Sequence, residues 1–344
     1  MSPVARLRLP LAAIGLGLLA LYVGLAASGY DAGSALGAMW RGAFGSTDAV
    51  VSALLPRAIP LVLVGLGIGL AFSAGALNIG AEGQFYVGAV AATWVGIRLA
   101  GVPPWLAIPA TLGAALAAGA LWAGMAAGLR LRFGVLEVIT TLLLNFVAEA
   151  LVSWMVQGPM QESKHIYPQS DPVAVSARLP LVPGTRLHLG LGLALLLAGL
   201  GWVVRRQTLW GLRLRAVGTN AVAAAVIGRV SVERFFAQAL LLSGALAGLA
   251  GGAEVSGVSY ALYQNLSPGY GFSGIAVALL ARLDPLATVA TGLLFAALEA
   301  GAAGMQREAG VPAVAVFVVE AAVILVVLLV DVARRRAEPL AAGV

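Results

Sequence analysis

The 344-residue sequence contains no cysteine, which excludes disulfides and thiol chemistry. Lysine is almost as scarce: Lys164 stands alone among 21 basic residues, the rest being arginine. No G-x-x-x-x-G-K-S/T run is present, so the chain has no phosphate loop and does not hydrolyse ATP itself. Histidine occurs twice, at His165 and His188, in or beside one loop. Two histidines there do not make up a metal-ligand set. No Ser/His/Asp constellation is suggested either. Charged residues make up only 10% of the chain, against about a quarter in a soluble domain. The sequence therefore points away from enzymes, and no metal or cofactor is expected.

What fills the chain instead is apolar: 60% of the residues, in long blocks, with 44 glycines among them. In a bilayer, glycine permits close helix–helix packing. The net charge of +6 does not indicate nucleic acid, because the basic residues lie in short loops and form no continuous stripe.

A helix needs about 20 mostly apolar residues to cross the hydrocarbon core. Spans are expected at 9–27, 52–72, 83–100, 105–127, 136–156, 188–204, 232–252, 286–303 and 312–331. A shorter apolar piece runs from Phe272 to Leu283. Ala26-Ala27-Ser28-Gly29 could pass for a signal-peptidase site, but the run before it is too long for a usual signal h-region, so it is read as an uncleaved span. With a cytoplasmic N-terminus and the short piece counted as a crossing, Arg6, Arg8, Arg130, Arg132, Arg205, Arg206, Arg213, Arg215, Arg229, Arg234, Arg282, Arg334, Arg335 and Arg336 all fall inside. The reverse orientation inverts that bias. The expectation is an all-α integral membrane protein of about ten transmembrane helices, both termini cytoplasmic. Residues 157–187 then form a polar external loop, and 205–231 a cytoplasmic one.

Polar residues inside apolar runs are costly and mark function by default. In Ser73-Ala74-Gly75-Ala76-Leu77-Asn78-Ile79-Gly80-Ala81-Glu82-Gly83-Gln84, three glycines, an Asn, a Glu and a Gln separate two apolar runs. One reading is a half-helix starting near Gly80 that aims amide donors at a ligand. The other is a tight turn capping the next span. Thr141 and Asn145 are four apart and share a helix face, either lining a path or bonding a neighbouring helix. Gly244, Gly248 and Gly252 make a ridge for close helix contact. Glu254, Glu299 and Glu320 also fall in or beside apolar runs. In the loop 205–231, Thr219 or Asn220 is a plausible helix N-cap and Gly228 a stop. The two-turn helix between them is either a dock for a partner or an ordinary surface helix.

These residues resemble the permeases of ABC importers in the branched-chain amino acid and sugar permease group, and within it the nucleoside (simple-sugar-annotated) permeases. The resemblance rests first on Leu77-Asn78-Ile79-Gly80-Ala81-Glu82-Gly83-Gln84. It continues in Glu137 to Thr141 with Leu144-Asn145, and in Leu214 to Gly218 with Asn220 and Ala223-Ala224. Leu242 to Gly251, and Gly271 to Leu280 with Pro285, complete five ordered motifs over about 55–330. The resemblance implies a type II ABC-importer permease fold with broken or half helices and a coupling helix at 217–229. It implies partners as well: ATPase subunits, a second and usually different permease, and an extracytoplasmic binding protein that delivers nucleosides. A sugar or a branched-chain amino acid is the alternative cargo. On this reading the whole chain is a single permease domain. Ser73, Asn78, Glu82, Gln84, Thr141 and Asn145 are the candidate path residues. Arg215, Gly218, Thr219, Asn220, Ala223, Ala224, Gly228 and Arg229 are the candidate ATPase-coupling residues. A secondary transporter also uses broken helices, but it needs no such dock. A membrane enzyme is disfavoured by the missing catalytic set.

Overall fold

The computed structural model describes residues 15, 19 and 21–312. Nearly all of the expected span 312–331 and much of 9–27 lie outside the described residues, as do Glu320, Arg6, Arg8 and Arg334 to Arg336. The described residues are helical and hold no strand. Two isolated bridges occur, Gln169 with Tyr263 and Leu181 with His188. Helix α1 is Ala32–Phe44, and a π-helical turn, Ala49–Leu54, leads into α2, Leu55–Ser73. Then come α3 (Ala81–Ile97), α4 (Pro104–Phe133), α5 (Glu137–Gln157) and α6 (Gly190–Gln207). Two short helices follow, α7 (Leu209–Thr219) and α8 (Ala221–Val226). Helix α9 is Val232–Glu254, extended by a π-helical turn, Val255–Ser259; α10 is Tyr270–Leu280 and α11 is Pro285–Ala309.

Among the described residues, five helical stretches are long and apolar enough to cross a membrane: Ala49–Ser73, Pro104–Phe133, Glu137–Gln157, Val232–Ser259 and Pro285–Ala309. They coincide with five of the expected spans. The expected spans 83–100, 188–204 and 272–283 are the shorter helices α3, α6 and α10, of 17, 18 and 11 residues. Helix α1 falls outside the expected spans, because its 13 residues are too few to cross the hydrocarbon core. Its start is nonetheless written locally: the Asp31 carboxylate accepts from the amides of Gly33 and Ser34.

The chain divides into two compact units, residues 1–54 with 295–344, and residues 55–294. In the first, Leu21, Leu25, Ala35, Ala38, Leu298 and Met305 belong to one apolar cluster. Gly42 and Gly304 meet backbone to backbone, since a Cβ on either would come within 3 Å of the other's Cα. An ion pair, Arg41–Glu308 at 2.7 Å, lies exposed beside them, where such pairs contribute little.

In the second unit α9 is the central helix, and its glycine ridge is the reason. A Cβ on Gly244 or Gly248 would collide with Gly119 of α4, and one on Gly252 with Ala115. Turned towards α3, Gly88 meets the backbone of Gly248, and Gly251 meets Phe85. Backbones this close leave no room for a side chain, so the ridge sets the spacing of three helices. Helix α4 ends on Gly134, in the left-handed conformation at φ 69°, whose amide bonds the Arg130 carbonyl.

Residues 158–189 run irregularly, with one 3₁₀ turn at Val175–Ala177. Backbone bonds tie them down: Ser170 N to Leu262 O, Val173 N to Tyr260 O, Ala174 N to Gly96 O and Leu179 N to Ser256 O.

Candidate functional site

Helix α2 stops at Ser73 because Gly75 takes a positive φ of 78°. The amide of Ala76 bonds the Ala71 carbonyl and that of Gly75 the Phe72 carbonyl. This is a Schellman cap, which needs a residue tolerant of left-handed backbone at Gly75. Residues 76–80 then run without helix until α3 begins at Ala81. Non-helical backbone inside an apolar bundle must find partners for its amides and carbonyls. Side chains supply them.

Asn78 is wholly buried and uses both ends of its amide. Its Oδ1 accepts from the Gly80 amide at 3.0 Å and from Gln84 Nε2 at 2.9 Å. Its Nδ2 donates to Gln84 Oε1 and to Ser243 Oγ, both at 2.8 Å. From α5, Asn145 Oδ1 accepts from the Gly83 amide at 2.8 Å, and Nδ2 donates to the Ile79 carbonyl at 2.9 Å. Thr141 Oγ1 accepts from the Ile79 amide at 3.3 Å and donates to the Glu137 carbonyl at 2.7 Å. One residue of broken backbone, Ile79, is thus held at both polar groups by two side chains four apart. The Glu82 carboxylate is buried and accepts from the Gly271 amide at 2.6 Å, joining α3 to the first turn of α10.

Five of the six candidate path residues, Asn78, Glu82, Gln84, Thr141 and Asn145, therefore lie together around one helix break. Amide donors near the start of α3 are taken up internally, by Asn78 and Asn145. Ser73 stands apart: its hydroxyl donates to the Gly69 carbonyl at 2.7 Å and accepts from Arg205 Nη1 at 3.4 Å. Ser243 and Gly271 belong to the site as well; both lie in stretches that carry the family resemblance, but neither is among the candidate path residues. Ser243 sits beside the glycine ridge, and Gly271 meets the Glu82 backbone closely enough to exclude a Cβ. Neither has a local signal, because their partners are 165 and 189 positions away.

The candidate coupling residues also come together. Asn220 is the N-cap of α8, its Oδ1 accepting from the Ala223 amide at 2.9 Å. Thr219 instead donates within α7, to the Arg215 carbonyl. Ala224 faces inward with Leu214, Val217, Phe235 and Ala239. Gly218 lies against the Ser73 carbonyl, closer than any Cβ allows. Gly228 and Arg229, the latter at φ 47°, follow the helix as its stop. The outward face is apolar: Val222, Val226 and Ile227 are 74%, 74% and 85% exposed. Of the two histidines, His165 is exposed and bonds Gln161. His188 is buried, its ring against Gly190 and Gly257.

Comparison with known proteins gives a consistent picture. The family profile described as "Branched-chain amino acid transport system / permease component" matches residues 50–329. The chain is 38% identical to the glucose ABC transporter permease protein TsgB13 of Haloferax volcanii over 94% of its own length and 86% of the relative's. It is 37% identical to the guanosine ABC transporter permease protein NupP of Bacillus subtilis, over 94% and 93%. With the nucleoside ABC transporter permease protein NupB of Lactococcus lactis it shares 30% identity, over 92% and 88%. No solved structure matches the chain.

Proposed function

Because the chain belongs to the family of branched-chain amino acid transport system permease components, we propose that it forms the translocation path of an ATP-driven importer whose cargo is nucleosides. The family is one of ABC transporter permeases, which are not themselves catalytic. The observation that carries the reading is that the family match over 50–329 encloses both the polar break at 74–80 and the α7–α8 pair. On this reading the chain crosses the bilayer about ten times with both termini cytoplasmic. Residues 157–187 face outside, and 205–231 face the cytoplasm. Separate ATPase subunits dock on α8, a second and different permease completes the pore, and an extracytoplasmic protein delivers the cargo.

The break at 74–80 forms part of the path wall, and Asn78, Gln84, Thr141 and Asn145 fix its backbone. Glu82 ties the same wall to α10. Two of the named relatives support the nucleoside reading, being called guanosine and nucleoside permeases. The name of the third, a glucose permease, supports a sugar as the second reading.

The test is uptake of labelled guanosine by the complex reconstituted in vesicles with ATP. Unlabelled nucleosides should compete, and glucose, pentoses and leucine should not. Competition by glucose with none by nucleosides overturns the cargo. Uptake by this chain alone, driven by an ion gradient, overturns the importer.

A further inference from the structure

At the foot of α9 is a cavity of about 360 Å³, within the size range of small-molecule sites. Arg213 of α7, Arg229 after α8 and Arg234 of α9 line it, with Trp210, Ser231 and Gln238. No carboxylate lines it. Glu233, which precedes Arg234, is exposed and is not among the lining residues. Among the described residues none of the three arginines has an ion-pair partner. Three guanidinium groups converging on one hollow repel each other, an arrangement that an anion relieves. Guanidinium forks match phosphate oxygens in pairs.

The position of the cavity identifies the anion. The helical stretch Val232–Ser259 has 28 residues, a length of about 42 Å, against a hydrocarbon core of about 30 Å. Its ends therefore project into the headgroup layers, and Ser231 and Arg234 lie at one of them. Trp210, whose Nε1 donates to Gln238 Oε1 at 3.1 Å, is the residue type enriched at that depth. Helix α7 carries apolar side chains on its outer face as well as its inner one. Gly211, Leu214 and Val217 are buried, while Leu209 and Leu212, 69% and 55% exposed, share the outer face with Arg213. Exposed leucines beside an arginine suit contact with acyl chains next to a charged headgroup.

We propose that this cavity is a headgroup site for an anionic phospholipid. The three arginines hold the phosphate, the Ser231 hydroxyl and Gln238 border it, and Leu209 and Leu212 lie along the acyl chains. A bound lipid seats α7, and with it α8, on the membrane surface. The site does not depend on the cargo, and through Arg229 it borders the proposed ATPase dock.

The full-length chain in nanodiscs of phosphatidylcholine with phosphatidylglycerol is released in the gas phase, and retained lipids are counted by native mass spectrometry. Wild type should retain phosphatidylglycerol selectively. The triple variant Arg213→Gln/Arg229→Gln/Arg234→Gln should retain at least about tenfold less, while Arg132→Gln, which removes a charge elsewhere, should retain as much as wild type. Gln238→Glu keeps the acceptor for Trp210 and all three arginines but adds a negative charge. It should lose the lipid too, which separates the effect from any misfolding of the triple variant. Equal retention by wild type and the triple variant overturns the site. So does full displacement of the lipid by millimolar inorganic phosphate, which would make it a free-phosphate site. Loss of ATPase co-purification in the triple variant with lipid retention unchanged overturns it as well, by assigning the arginines to a protein carboxylate.

Discussion

Asn145 carries two bonds that need a donor and an acceptor on one side chain. Its amide accepts from the buried Gly83 amide and donates to the part-buried Ile79 carbonyl. Replacing it by leucine keeps the γ-branched outline, adds bulk, and orphans a donor and an acceptor, each at a cost of about 1–3 kcal/mol. We expect Asn145→Leu to lower thermal stability as well as uptake, a result read from paired melting curves and transport rates. An unchanged melting temperature with reduced uptake would place Asn145 in contact with cargo instead. The polar character of this position was legible in the sequence, because an asparagine four residues after a threonine inside an apolar run stands out. What it bonds was not, since Gly83 and Ile79 reveal their unpaired groups only once the helix is seen to break. Ser243 was hidden for the same reason, one hydroxyl beside a run of glycines whose packing role is plainer.

At the scale of the element, α8 separates two kinds of residue that sequence position runs together. Ala224 points into its own chain, whereas Val222, Val226 and Ile227 point away from it. Ile227→Asp should leave stability unchanged and reduce ATP-driven uptake by about tenfold or more, the effect of losing one well-buried apolar contact at a dock. Ala224→Asp should lower the melting temperature first, because it buries a charge beside Leu214 and Phe235. Comparing the two variants for ATPase co-purification distinguishes docking from folding, and an Ile227→Asp chain that binds and transports normally would remove the dock. The helix itself could be expected from Asn220 and Gly228. Which of its faces is free depends on Phe235 and Ala239, which come from the next helix and carry no mark of it. The glycine ridge was legible for the opposite reason: its period of four is set by the helix that bears it.

Over the whole molecule, the least apolar long segment, 157–187, is held by backbone bonds to distant strands of chain and by two carboxylates of its own. The Glu162 carboxylate accepts from Gln169 Nε2 and the Tyr167 amide, and Asp171 from the hydroxyl and amide of Ser163. These bonds hold both carboxyls below their ordinary values of 4.5 and 3.8. A depressed folded value means the stabilisation is complete above the ordinary value and is lost as pH falls through the lowered one. Amide exchange at Ser163 and Tyr167, corrected for intrinsic rate, should therefore speed up only below about pH 4 and stay constant between pH 6 and 8. Loss of protection near neutrality would mean the carboxylates do not hold the segment. One other contact links the two candidate regions directly. Gly218 rests on the Ser73 carbonyl and Gly75, main chain against main chain. The atoms nearest to Gly218 are all main chain, so this one contact has no rotamer with which to absorb displacement. A displacement of α7 would be passed to the end of α2 through this contact with little slack, and a side chain added at Gly218 would wedge it open.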